Sequence, residues 1–589
     1  MTLQDNRTKW LVLSTVCFGL FMVNLDGNVV NLAMPTIIRQ FNATLAQMEW
    51  ISNAYMLTFA VFLITLGRLG DQLGRKKLFL AGLVGFTLGS ALCGAAQNVG
   101  QLIAFRVLQG IGGSALMPAT LSLITASFDK KERGRAMGFW GAASGLAFIM
   151  GPILGGWLTQ AGLGPALNSL LGVQDHWRFV FFVNVPFGVV TFILAATRIP
   201  ESRDEGVASR LDAAGVALSS LAVFLLTYGF IAGPRCGWLA PSRPFSVLGL
   251  TVAPFGLSFV PFCFLAAAAF GTAFLLYERR RRVDPLMDLG LFRNRNYSVG
   301  MFTGVILNFG LSGAMFLMPL FCQAVLGISP LHVGTLMLPF AFALLVSSPL
   351  AGILSDRIGA KPILVTGLAI LAASFLLVAH FRVDTRGSEV IPPFIVMGIG
   401  MGLSMTPLTN MTLYGVPAEK TGGASGVLST LRQTGAVMGV AILSVVLQAN
   451  MGGAISAHAR DVQGLPPAAR DVLVSYVTHG GLYGVPDNGP NGLAAQLKAV
   501  MPATRPGADA AAVGRGIDLA MKQSFTDGVN ETFRIAAAIG AITVLVSLLM
   551  AGVRKPRKVQ AEVTRATEDP EEDPETEAAE TDRRIAVGE

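Results

Sequence analysis

The chemistry open to this chain rests on a few ionisable residues set in long apolar runs. Asp26 is the only carboxylate well inside such a run. An acid in a membrane span is costly and faces a cavity or a partner. Burial disfavours its charged form, so an acid there is suited to taking up and releasing a proton. A permanently paired structural Asp is the other reading. Arg106 lies in another apolar run, with Gln109 one turn further on. A guanidinium does not readily lose its proton, but it changes the cost of ionising a nearby carboxylate. Asp26 and Arg106 are therefore the expected proton-coupling pair, the alternative being an ion pair that only holds two helices together. Asn24, Asn28 and Asn31 recur at i, i+4 and i+7 and share one helix face. That face either lines a cavity or hydrogen-bonds neighbouring helices. Arg432 is a further charge in an apolar run, with packing, substrate contact and coupling all open as roles.

The elements that must position these residues follow from composition. Of 589 residues, 52% are hydrophobic and 14% charged, against about 25% charged in a soluble globular chain. A disordered chain, a disulfide scaffold and an ordinary cytosolic enzyme are all excluded, and a polytopic helical membrane protein remains. Fourteen apolar runs long enough to span appear, near 10–35, 51–67, 78–96, 103–126, 136–159, 179–197, 212–232, 247–276, 298–321, 333–353, 362–381, 391–414, 425–448 and 533–553. The run 247–276 is over-long and holds Pro254 and Pro261, so its outer part is expected to bend or re-enter. With the N-terminus inside, the inner segments carry 26 Lys/Arg and the short outer loops 6. That asymmetry predicts both termini on the cytoplasmic side. The first run is too long for a signal peptide and reads as a retained span.

Residues 562–589 carry a net charge of −8 and the remainder +16. The basic body reads as topology-setting charge, not as a nucleic-acid surface. The five cysteines form no CxxC or zinc pattern. No phosphate-binding GxxxxGK[ST], no HExxH and no nucleophile elbow is present. No metal, no cofactor and no enzymatic activity is expected.

An internal repeat is visible at an offset of 285 residues: Gly67–Lys76 (GRLGDQLGRK) recurs as Gly352–Lys361 (GILSDRIGAK). Each copy follows an apolar run. Two halves of six helices with two extra central helices account for the offset, and parallel halves are a transporter signature. Four further segments stand out: LDGNVVNLAMP (25–35), LIAFRVLQGIGG (102–113), GAASGLAFIMGPILGG (141–156) and WRFVFFVNVPFG (177–188). GGASGVLSTLRQTGAVMGVAIL (422–443) is a fifth.

Together these segments resemble the major facilitator superfamily, and specifically its fourteen-helix drug:proton antiporters. Asn28 departs from the small or Thr residue usual in the first-helix motif. The resemblance implies an all-α integral membrane fold with two six-helix bundles plus two central linker helices. The expected layout is 1–198 for the first bundle, 199–296 for the linker helices and 297–553 for the second bundle. A long external segment, 449–532, is expected to be a partly ordered surface loop with a helix from about 509, the other reading being a lid over the outer mouth, and 554–589 a disordered cytoplasmic acidic tail. The resemblance makes Asp71 and Arg75, with Asp356 and Arg357 in the second copy, conformational latch residues, and links Arg106 to proton transfer. It makes Gly145, Gly151, Pro152, Gly155 and Gly156 a helix-packing motif associated with exporters. Trp177 and Arg178 suit an outer interface.

Asn24, Asn28, Asn31, Gln109, Asn308, Phe309, Met315 and Arg432 are candidate cavity residues. Phe316, Met318, Phe340 and Phe342 join Phe309 and Met315 as possible walls for hydrophobic, varied ligands. Spans 10 and 13 lack acids, which argues against dicationic substrates. The expected function is export of hydrophobic small molecules or drugs in exchange for protons, by a monomer in the cytoplasmic membrane's lipid bilayer. The rivals are a dedicated exporter of a self-made antibiotic, lipid or siderophore, and a lipid-handling or scaffold protein whose charges are structural.

Overall fold

The computed structural model describes residues 6–41, 45–128, 132–161, 175–201, 212–241, 246–247, 250–251, 256–281, 286–417, 420–478, 493, 496–497 and 508–552. The expected acidic tail lies outside them. The described chain is almost wholly helical. In the first half the helices are α1 (Asn6–Phe41), α2 (Leu45–Leu73), α3 (Arg75–Ala95), α4 (Val99–Ser127), α5 (Arg133–Ala161) and α6, a broken helix over His176–Arg198. Then follow α7 (Ala213–Cys236) and α8 (Val260–Arg280). The second half holds α9 (Arg295–Ala324), α10 (Pro330–Ile358), α11 (Ala360–Val378), α12 (Ile391–Thr412), α13 (Thr421–Asp461), α14 (Pro467–Thr478) and α15 (Ala508–Ser547). Thirteen of these helices are long and apolar enough to cross a membrane. The helix in the fifth place, α5, contains side chains outside the described set and is not among the thirteen, so the expected fourteen rests on the sequence.

Local chemistry sets many boundaries. The Asn98 side chain accepts from the Gln101 N–H at 2.9 Å and caps α4, and Asp212 does the same for α7 through Gly215 at 3.0 Å. Gly74 and Gly359, equivalent in the two repeat copies, turn the chain between successive helices at φ 111° and 97°. Only glycine adopts such angles without strain, which explains why the repeat keeps a glycine there. The over-long eighth run is corrected by the structure. A two-residue antiparallel pairing, Ser246–Val247 with Leu250–Thr251, precedes α8. Pro261 then sits in the first turn of α8, where its missing N–H costs nothing.

The packing repeats between halves. In the first half α1 packs on α4, α5 and α6, α3 on α4 and α6, and α2 on α4. In the second half α9 packs on α12, α13 and α15, α11 on α12 and α15, and α10 on α12. Each contact in one set has its counterpart in the other, with α15 in the place of α6. The halves meet through crossed pairs, α2 with α13 and α5 with α10. The α5–α10 seam is built on glycine. A side chain at Gly138 would lie 2.8 Å from the Pro349 Cα, one at Gly141 would collide with the Ser348 hydroxyl, and one at Gly145 would lie 3.2 Å from Leu344. At the α2–α13 seam a side chain at Gly426 would lie 2.8 Å from the Leu63 carbonyl oxygen. Linker helices α7 and α8 pack on each other, and α7 also on α2 and α13.

The segment after the thirteenth run is more ordered than expected. α13 continues to Asp461, α14 follows, and α15 begins at Ala508. Met451, Ile455, Leu473, Val477, Met521 and Phe525 are buried along these helices, and α13 packs on both α14 and α15.

Candidate functional site

Asp26 lies near the middle of α1 with 1% of its surface exposed. Its Oδ2 accepts from Arg106 Nη1 at 2.5 Å. Its Oδ1 accepts from Gln109 Nε2 at 2.8 Å and from Asn184 Nδ2 at 3.1 Å. Arg106 and Gln109 are one turn apart on α4, so both reach the same carboxylate. The Ser90 hydroxyl on α3 accepts from Gln109 at 3.1 Å and from Asn184 at 2.9 Å, and donates to the Phe181 carbonyl at 2.9 Å. Helices α1, α3, α4 and α6 thus converge on one carboxylate, all from the first half.

The guanidinium of Arg106 has more than one partner. Nη1 also donates to Gln109 Oε1 at 2.7 Å, and Nε to the Ile51 carbonyl at 3.1 Å. The Tyr55 ring lies 4.2 Å from its central carbon, a cation–π contact. If Asp26 became neutral, Arg106 would keep two oxygen acceptors and an aromatic face. Asn184, Ser90 and Tyr55 were not singled out in the sequence. The signal was faint: Asn184 is the one polar side chain in VFFVNVPFG, a segment noticed only as a motif.

The repeat copies sit where the halves cross. The Asp71 carboxylate accepts the Gly423 N–H at 2.8 Å, in the first turn of α13. Its other oxygen is 3.6 Å from Arg75 Nη2. In the second copy a side chain at Gly134, in the first turn of α5, would lie 2.5 Å from Asp356 Oδ1. Both aspartates therefore stand at the N-terminus of a helix in the opposite half, where a carboxylate is favoured by about 2 kcal/mol at most. That strength biases an arrangement without locking it. The copies differ beyond the aspartate. Ala360 stands where Arg75 stands in the first copy, and Arg357 is exposed; among the described residues no ion pair joins it to Asp356. The sequence did not point to Asp288 and Lys420, which meet at 2.6 Å beside the α2–α13 crossing. Partial burial pushes the Asp288 carboxyl up, but Lys420, the Gly290 N–H and Arg68 outweigh that and hold it below the usual range.

Of the cavity candidates, Asn24 donates to the Ser144 hydroxyl at 3.3 Å, joining α1 to α5. Asn28 and Asn31 lie on α1, but their side chains are outside those described. Asn308 donates to the Gly304 carbonyl of its own helix at 2.9 Å. Phe309, Met318 and Phe340 are buried, Met315 is half-buried, and Phe316 and Phe342 are exposed. Arg432 is 8% exposed and donates to the Thr409 hydroxyl at 2.8 Å. Gly151 and Gly155 are buried in α5, while Pro152 and Gly156 are outside the described side chains. Trp177 is fully buried against Phe41 and Phe181. Arg178 donates to the carbonyls of Gly94 at 2.8 Å and Ala96 at 2.5 Å, satisfying the C-terminal end of α3.

Two crossed six-helix sets with a buried carboxylate network in one of them define a membrane transporter. Residues 16–440 match the Major Facilitator Superfamily model, and the chain belongs to that family. The chain is 34% identical over 474 residues to the multidrug resistance protein Stp of Mycobacterium tuberculosis (strain CDC 1551 / Oshkosh), covering 80% of this chain and 82% of that one. It is 31% identical over 540 residues to the tetracenomycin C resistance and export protein of Streptomyces glaucescens, covering 92% and 91%. Among solved structures it is similar to the proton:xylose symporter XylE, with a TM-score of 0.58 at 12% identity, covering 93% of this chain and 97% of that one. This last likeness concerns the fold alone.

Proposed function

We propose that this protein exports hydrophobic small molecules or drugs across the cytoplasmic membrane in exchange for protons, with both termini cytoplasmic. The observation that carries the coupling is the Asp26 carboxylate, buried and held by Arg106, Gln109 and Asn184. The names of the Mycobacterium and Streptomyces relatives support the export of drugs. Residues 1–198 and 297–553 rock against each other about a site between them, with 199–296 as linker. Asp26 takes a proton from outside, and its hold on Arg106 weakens. Gln109, Ile51 and Tyr55 keep the guanidinium satisfied, so α1 and α4 are free to repack. Substrate leaves, and the protein returns to face inward. Loss of the proton inside restores the pair. Asp71 on α13 and Asp356 on α5 hold the inner ends together while the protein faces out, and part when it faces in.

The name of the Streptomyces relative, which gives a single antibiotic, favours a second reading, a narrow exporter of one antibiotic by the same mechanism. Everted vesicles carrying a proton gradient and a pH dye test the coupling. Proton release on adding a lipophilic compound, lost in Asp26→Asn at an equal level of folded protein in the membrane, is the expected result. Release that survives the substitution moves coupling to another group. Response to one compound out of a broad panel would select the narrow exporter.

A further inference from the structure

Arg432 differs from Arg106 in how its charge is met. Both are nine-tenths or more buried. Arg106 has a carboxylate, an amide oxygen, a backbone carbonyl and an aromatic face. Arg432 has the Thr409 hydroxyl, and its Nε has no hydrogen-bond partner among the described residues. A buried guanidinium keeps its proton, and a buried charge without a counter-charge is costly. Thr409 is in the last turn of α12, whose C-terminus carries about half an elementary negative charge. That offsets part of the guanidinium's charge and leaves the rest. The Asp71 carboxylate meets α13 at Gly423, nine residues earlier and about 13 Å away along the helix.

The fold does not require a charge at this position. Gly138 on α5 and Gly426 on α13 are equivalent, each crossing to the second helix of the opposite half. Six residues on from each stand Ser144 and Arg432. In the first half a neutral hydroxyl meets Asn24 on α1. In the second half the guanidinium lies across Gly304 on α9, where a side chain would be 3.4 Å from Nε. With Asp26 already neutralised by Arg106, the unbalanced interior charge of this pair of sites is positive.

We infer that Arg432, with Thr409, receives an anionic oxygen group (carboxylate, enolate or phenolate) on the exported molecule, so that the preferred substrates are hydrophobic acids. This assignment rests on the exporter reading and names its substrate class. It is tested with two xanthene dyes of opposite charge, fluorescein and rhodamine 6G, in everted vesicles carrying wild type, Arg432→Gln or Arg432→Lys. The expected wild-type preference is for fluorescein. Arg432→Gln should lower the fluorescein-to-rhodamine uptake ratio about tenfold, the scale of one lost charge-assisted hydrogen bond, and Arg432→Lys should restore part of it. A wild type that favours rhodamine, or a glutamine variant that loses both dyes in equal proportion while Lys restores neither, overturns the assignment and leaves export standing. Wild-type vesicles that move neither dye overturn the assignment and count against the exporter reading as well.

Discussion

At the scale of single residues, the Asp26 network separates two kinds of substitution. Removing one partner of a buried ion pair costs about 3–5 kcal/mol, because the other charge is left without compensation. Arg106→Ala should therefore lower stability by about that much, read from the unfolding of purified protein. Asp26→Asn should cost clearly less, because Arg106 retains Gln109, Ile51 and Tyr55. Equal losses would mean that the carboxylate alone holds the guanidinium. Asp26, Arg106 and Gln109 were legible in the sequence because charge in an apolar run is rare and helical spacing joins 106 to 109. Asn184, Ser90 and Tyr55 were not, because small polar and aromatic side chains are common in spans and only the packing of α2, α3 and α6 brings them to one point. Asp288 gives a second test. Its carboxyl is held below the usual range, so its contribution is complete above about pH 4 and disappears as pH falls through its lowered value. The melting temperature of wild type should exceed that of Asp288→Asn at neutral pH, and the gap should close on acidification. A gap that persists in acid would mean that the Asp288–Lys420 pair is not its source.

At the scale of helices, apolar length placed most spans to within a few residues. It failed where length was not the deciding quantity. The eighth run merged an uncharged stretch with a helix, and Pro261 marks where the helix starts. The thirteenth and fifteenth helices run on past the apolar stretch, and their added turns carry buried apolar residues such as Met451, Ile455, Met521 and Phe525. Which helices would touch was not legible, since a small-residue face suits any close neighbour. The seams make a specific prediction. A side chain at Gly352 would collide with the Gly134 carbonyl oxygen. Overpacking of this kind costs about 1–3 kcal/mol, here against the arrangement in which α5 and α10 cross. In a cysteine-free background, Ser355→Cys should react faster with an impermeant maleimide applied to everted vesicles when Gly352→Ala is added. An unchanged rate would show that α10 yields without opening the inner end.

At the scale of the whole molecule, the matching contact sets of the two halves make relative rotation the simplest motion. The ideal Cβ of Gly141 lies 3.3 Å from the Ser348 Cβ, close to the separation a disulfide needs. Gly141→Cys combined with Ser348→Cys should cross-link under oxidation and stop transport, with activity returning on reduction. Transport that continues through a complete cross-link would exclude separation of α5 from α10 during the cycle.

The crossed seams also bear on how the protein is made. α5 ends at Ala161 and its partner α10 at Ile358. At about 5–20 residues per second the ribosome needs roughly 10–40 s to cover that distance. During this time the glycine face of α5 lies in the bilayer without its protein partner. Lipid tails are as apolar as the missing helices, so a glycine face can wait there at little cost, where a charged one could not. A glycine seam with its aspartate at one end, as where Asp356 meets Gly134, is suited to a chain whose two halves are born at different times.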